Sequence, residues 1–167
     1  DIYVREGCYN CHSQQVRPFR HEVVRYGEYS KAGEYVYDYP FQWGSKRTGP
    51  DLHRLGGKYP DLWHYRHMDD PNSTSLGSVM PRYPHLLKDT LDTSTTQKKL
   101  KLMKKLGVPY TQEEINGAEE NLKAQAQKIT ENLRSQGASR AHESQEIIAL
   151  IAYLQRLGTD IKPKGGN

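Results

Sequence analysis

Cys8-Tyr9-Asn10-Cys11-His12, near the start of a 167-residue chain, sets two thiols and an imidazole side by side. Thiols three residues apart on one helical turn project to the same side, so each can take one vinyl group of a haem as a thioether. The histidine that follows can turn a ring nitrogen to the iron as its proximal ligand. The chain has 2 cysteines in all. A structural zinc site wants four ligands, and no second Cys or Cys/His pair at matching spacing supplies them. A thioredoxin-like redox pair accounts for Cys-x-x-Cys but leaves His12 without a role, and no strand–helix–strand pattern surrounds it. A disulfide between Cys8 and Cys11 closes so short a loop that it staples little. Covalent attachment of one haem c is the chemistry that uses all three side chains.

An iron bound by His12 has one axial position left, and its occupant separates electron carriers from ligand-binding or catalytic haems. The candidates are Met68, Met80, Met103 and the other histidines. Met80 fits best, because it precedes Pro81 in a loop whose backbone can be held rigidly against a haem edge. Its soft, uncharged thioether favours Fe(II) and raises the potential relative to bis-histidine ligation. Met68 and Met103 fall on predicted helices with apolar neighbours and read as core-filling. His53, His64, His67 and His85 stand next in line. A further turn, Gly49-Pro50-Asp51-Leu52, complements His12. A metal-bound imidazole gives its other N–H to a carbonyl or carboxylate, which fixes the ring. A Gly-Pro turn can present such a carbonyl at Pro50, and Leu52 can cover the haem face.

These residues need elements to hold them. Apolar residues make up 35% of the chain, so the protein core of a single domain over residues 1–167 is modest and a haem would enlarge it. A first helix is predicted over Ile2–Gln15, with Pro18 limiting its extension. Arg25–Arg47, rich in Tyr and Gly, reads as a long ordered loop with a short helix near Tyr29–Tyr37; loops of this length usually bind something. Asp61 opens a helix through Met68 that Pro71 ends, and Ser73–Pro84 is irregular. Lys98–Leu106 is helical. Thr111 and Glu114 form a capping box that opens a longer helix closed by Gly137, with Ile115, Ala118, Leu122, Ala126, Ile129 and Leu133 on its apolar stripe. The last helix is predicted over Ala141–Leu157, capped by Gly158. Nothing reads as a strand, so the expected fold class is all-α. Residues 88–140 read as a helical insertion before the last helix, and residues 159–167 as a disordered tail.

The net charge of +4 gathers in Lys98, Lys99, Lys101, Lys104 and Lys105, with Lys162 and Lys164 beyond. No recognition motif accompanies them, so they read as a solvated helix face rather than a nucleic-acid surface. The longest apolar run, Ile147–Leu154, is too short to span a bilayer. The chain starts at Asp1 rather than Met, and the expectation is that a natural N-terminal segment precedes it.

Cys8-x-x-Cys11-His12, Gly49-Pro50-Asp51-Leu52 and Met80-Pro81, followed by an apolar C-terminal helix, resemble class I c-type cytochromes in content and order. The intervening residues are more specific. Gln15-Val16-Arg17-Pro18-Phe19-Arg20, Glu22, Arg25-Tyr26-Gly27 and Phe41 through Leu52 are similar to the monohaem subunit II, or O subunit, of cbb3-type cytochrome c oxidases. Gly56-Gly57-Lys58-Tyr59, Trp63-His64 and Met80-Pro81-Arg82-Tyr83-Pro84 extend the likeness, which covers Val4 to about Leu87 and the last helix. Lys88–Arg140 matches less specifically and is similar to the lysine-rich helical region that varies among such subunits.

The resemblance implies a class I cytochrome c-like domain around one covalent haem c. In it Cys8 and Cys11 carry the thioethers, His12 and Met80 are the axial ligands, and Pro50 offers its carbonyl to His12. It also implies a transmembrane anchor ahead of these residues and a haem domain on the periplasmic face of the bacterial inner membrane. The partners implied are a haem–copper catalytic subunit that reduces oxygen to water and another c-type cytochrome as donor. The domain itself would carry electrons and perform no bond chemistry. The aromatic loop Tyr26–Trp43 is then either a docking surface or a self-packed cover over the haem. The monohaem subunit of a nitric oxide reductase and a free soluble cytochrome c are alternatives of the same class, and the Phe41–Leu52 string argues against both. A haem sensor or peroxidase-like protein is a different class and requires an iron that Met80 does not bind. A haem-free binding module is a third.

Overall fold

A computed structural model describes residues 1–159 of the chain. Residues 160–167, most of the segment read as a tail, lie outside the described residues. The elements are helical, and the pairing of extended backbone among the described residues is limited to an isolated bridge between Thr90 and Gln145. The all-α expectation holds. The described residues divide into two compact units, one formed by residues 1–58 with residues 153–159, the other by Tyr59–Ala152. Among the described residues no helix is long and apolar enough to cross a membrane.

In the first unit, α1 (Ile2–Arg5) is only one turn long. The continuous helix predicted over Ile2–Gln15 does not form. Gly7, at φ +70°, ends α1, and a 3₁₀ turn over Cys8–Asn10 follows. From Ser13 the backbone leaves the helical path because its polar groups are taken by a distant segment. Gln14 N–H donates to the Trp43 carbonyl (2.8 Å) and Leu52 N–H to the Ser13 carbonyl (2.8 Å). A helix that the hydrophobic pattern did not signal, α2 (Arg20–Tyr26), follows Pro18. Its buried residue is Glu22, and a helix that buries a carboxylate shows no apolar stripe. Within the predicted loop, a 3₁₀ turn over Ala32–Tyr35 stands where a short helix was expected.

The interior of this unit is half polar. Ile2, Tyr3, Val16, Tyr35, Leu52 and Leu154 are buried, but so are Ser13, Gln14, Glu22, Glu34, Asp51 and His53. Buried polar groups persist only when hydrogen-bonded, and here they bond to one another and to the backbone. Tyr153 closes the unit on its far-N-terminal segment, its ring 5.2 Å from that of Tyr3 and its hydroxyl accepting from the Gln14 side-chain amide (3.0 Å). Burial pushes the Tyr153 hydroxyl up to about 12.

The second unit has a conventional apolar core. α3 (Asp61–Asp69) starts one residue after Pro60, and its Asp61 accepts from Asn132 (2.8 Å). Two 3₁₀ turns follow, Pro71–Ser73 and Pro84–Leu87. α4 (Thr96–Lys105) carries the lysine cluster, exposed as expected. Thr111 and Glu114 form the capping box, each bonding the other's backbone N–H. The helix it opens is shorter than predicted. Gly117 divides it into α5 (Gln112–Asn116) and α6 (Ala118–Ser135), and Gly137, at φ +95°, follows the end of α6. α7 (Glu146–Arg156), whose residues from Tyr153 on count with the first unit, begins five residues later than predicted. His142 N–H donates to Gln145 Oε1 and Leu91 N–H to the Ser144 carbonyl, which diverts Ala141–Gln145 from the helical ladder. Leu86, Ile115, Leu133, Ile147, Ile148, Leu150 and Ile151 are the most deeply buried apolar side chains of this core.

Candidate haem site

The attachment pentapeptide begins on the 3₁₀ turn. Asn10 N–H bonds to the Gly7 carbonyl, and both Cys11 and His12 N–H bond to the Cys8 carbonyl (3.1 and 3.0 Å). The two thiols are free, Cys8 half-buried and Cys11 exposed. Burial pushes the Cys8 thiol up to about 11, so at neutral pH it carries its proton. Among the described residues no group of three or more His, Cys, Asp and Glu side chains is arranged to hold a metal ion by itself.

His12 is fixed from two sides. Its Nδ1 donates to the Pro50 carbonyl at 2.8 Å, the contact anticipated from the Gly-Pro turn. A carbonyl only accepts, so Nδ1 is the donor in this bond, and Nε2 is the ring nitrogen left to face a metal. Gly49 lies flat against the ring. A Cβ there would sit 2.7 Å from Nδ1 and 2.9 Å from Nε2 and would collide with Cε1. Gly44, at φ +66°, makes a second close approach, where a Cβ would stand 3.1 Å from the Tyr9 carbonyl oxygen and collide with the backbone at His12. Gly49 N–H donates to the Cys11 carbonyl (2.9 Å), so the two loops are zipped together around the imidazole.

Behind this contact lies a charged cluster that the motif reading did not single out. The Asp51 side chain is fully buried; its Oδ2 accepts from Ser13 Oγ (2.6 Å) and Gln15 N–H (2.7 Å), and its Oδ1 from His53 N–H (2.9 Å). Arg47 donates to Ser13 Oγ (2.7 Å), to the Gln15 carbonyl (2.8 Å) and to Glu22 Oε2 (2.7 Å). Glu22 also accepts from Arg17, through both backbone and side chain. Hydrogen bonding from Arg47, against the opposing effect of burial, holds the Glu22 carboxyl down at about 2. The available signal was position: Arg17, Glu22, Arg47 and Asp51 all lie among the residues Gln15–Arg20, Glu22 and Phe41–Leu52 that carried the family likeness.

Other candidates are placed as follows. Leu52 is buried in the first unit. Met80 belongs to the second unit and is half-buried on a stretch without regular secondary structure, its N–H donating to Ser78 Oγ (3.2 Å). The Met80 loop is pinned to the end of α3: Tyr83 N–H donates to the Met68 carbonyl (2.8 Å) and Arg82 to the Asp69 carbonyl (2.7 Å). Met68 is buried and Met103 half-buried. Among the fallback histidines, His53 Nδ1 is engaged by Ser30 and Tyr35, and His67 Nδ1 by Thr74 (2.6 Å). His64 is buried with no hydrogen-bond partner at Nε2, and burial pushes it down to about 4. In the aromatic loop, Tyr35 is buried, while Phe41 and Trp43 stack on each other at 4.8 Å and remain over one-third exposed. The loop is therefore self-packed at Tyr35 and open at its tip.

The family described as cytochrome c oxidase, mono-heme subunit/FixO, matches residues 1–161. The chain belongs to this family. A search of the curated proteins returned no match. As a FixO subunit the chain is a component of a cytochrome c oxidase and carries one haem. The residues present suit such a group. An imidazole held through Nδ1, with Nε2 left to face a metal, is the donor a haem iron takes, and two free thiols precede it in sequence.

Proposed function

We propose that this FixO subunit is the electron-transfer domain of a cbb3-type oxidase. In this role the chain accepts electrons from another c-type cytochrome and passes them to the haem–copper catalytic subunit that reduces oxygen to water, on the periplasmic face of the inner membrane. The bound haem supplies a one-electron Fe(III)/Fe(II) couple. Cys8 and Cys11 fix it covalently by adding their thiols across its vinyl groups. His12 would offer Nε2 as one ligand, Pro50 would hold the ring through Nδ1, Leu52 would cover the haem, and Met80 would offer its thioether as the second ligand.

The observation that carries this reading is the Nδ1–Pro50 bond with Gly49 against the ring. It fixes tautomer and orientation in advance, as a carrier needs if little is to rearrange between redox states. The exposed Phe41–Trp43 pair gives the aromatic loop a surface on which a partner can dock.

Replacement of Met80 by Ala in the purified holo-subunit tests the assignment. The expected result is loss of the near-infrared methionine–ferric band, a lower reduction potential, and binding of CO to the ferrous form. An unchanged spectrum and potential would move the ligand elsewhere, and His64, with its open Nε2, becomes the residue to replace next. Ready CO binding by the wild type, with no methionine band, would replace the carrier reading by that of a sensor or peroxidase-like protein.

A further inference from the structure

Proximal histidines in metal sites are tuned by the group that accepts their second N–H, and that group must itself be held. Pro50 has no N–H, and its carbonyl sits at an exposed turn. Its position on His12 is therefore set by what anchors the residues on either side. On one side, Gly49 N–H is tied to the Cys11 carbonyl (2.9 Å). On the other, Leu52 N–H is tied to the Ser13 carbonyl (2.8 Å), and the Asp51 carboxylate grips Ser13 Oγ and Gln15 N–H. Asp51 is thus bonded to the very residue that follows His12, while being itself the residue that follows Pro50.

We infer that Asp51, with Ser13 and Arg47, is a positioning device for the proximal ligand. The buried carboxylate fastens the Ser13–Gln15 backbone to the Gly49–Leu52 turn and so keeps the Pro50 carbonyl on His12 Nδ1. The inference rests on the reading of His12 as the haem ligand. Three donors converge on one carboxylate, and a neutral amide cannot accept from all of them in the same pose. Arg47 lies 3.6 Å from Asp51 and bonds Ser13 Oγ and the Gln15 carbonyl, so the cation braces the segment the carboxylate holds. The pairing explains why a carboxylate is tolerated here without solvent: each of its oxygens is met by a donor.

The consequence is electronic as well as structural. A firm Nδ1–H···O=C bond makes the imidazole a stronger donor and favours Fe(III). Loosening the turn weakens that bond, so the potential rises and the Nδ1 proton is released to solvent more readily. The test uses the purified holo-subunit in three variants, Asp51→Asn, Ser13→Ala and Thr111→Ala. The last removes a helix cap in the other unit and serves as a control for general destabilisation. The readouts are the NMR exchange rate of the His12 Nδ1 proton and the reduction potential.

In Asp51→Asn the proton is expected to exchange at least tenfold faster and the potential to move upward. Ser13→Ala should shift both in the same direction but less, and Thr111→Ala should shift neither. Wild-type exchange and potential in a folded Asp51→Asn would overturn the inference; should that variant fail to fold, the same result in Ser13→Ala would. Failure of the underlying reading has a different mark. A His12→Ala protein with an unaltered ligand spectrum would show that His12 is not the ligand, whatever Asp51 does.

Discussion

At the scale of single residues, the imidazole of His12 depends on a missing side chain. Gly49→Ala would drive a methyl into the ring, and the ring must leave Pro50 to make room. The expected product still carries covalent haem but has lost its wild-type axial spectrum. Gly57 makes a useful contrast: at φ +72° an Ala there meets nothing within 4 Å, so Gly57→Ala should cost only about 1–2 kcal/mol of left-handed backbone strain and leave the spectrum intact. Visible spectra of the two variants, with their urea midpoints, check the pair. The Pro50 contact was legible in the sequence because a Gly-Pro turn advertises a carbonyl. The Asp51, Arg47 and Glu22 cluster was not, because charged residues are solvent-exposed by default and sequence does not announce which of them are paired indoors.

At the scale of elements, a helix end was read where its chemistry is local and missed where it is not. The Thr111–Glu114 box is a four-residue signal and stands in the structure as read. Thr111→Ala should lower stability by about 1 kcal/mol, measured by chemical denaturation, with no change in haem content. Glycine breaks were harder. Gly7 and Gly117 sit inside stretches whose apolar spacing continues across them, and periodicity alone carries the helix through both. The overlong first helix failed for a further reason, since Ser13 and Gln14 spend their backbone bonds on residues some thirty to forty positions away. α2 was invisible because the residue it buries is Glu22, which answers to Arg47 and Arg17 rather than to an apolar face.

At the scale of the whole molecule, the two units rest on different forces, and pH separates them. Glu22 sits at about 2 in the folded chain against an ordinary 4.5, so its carboxylate contributes stability that is complete above about pH 4.5. That contribution fades as the pH falls from there toward 2, where folded and unfolded forms both become protonated. Glu22→Gln should therefore be less stable than wild type at pH 7, and the gap in denaturation midpoint should close on acidification through this window. A gap that stays constant down to pH 2 would assign the loss to packing rather than charge. The mostly apolar interior of Tyr59–Ala152 titrates through a different group, His64, which burial pushes down to about 4. Its stripe of Ile115, Ala118, Ala126, Ile129 and Leu133 was visible in the sequence, whereas the polar interior of residues 1–58 became visible only when its partners were brought together. The bond from Gln14 to Tyr153 joins residues 139 positions apart. Tyr153 emerges from the ribosome long after Cys8, and at usual elongation rates that interval is on the order of ten seconds. Until Tyr153 is made the Gln14 side-chain amide has no such partner, so the segment just after Cys8–His12 is completed only by a residue of α7.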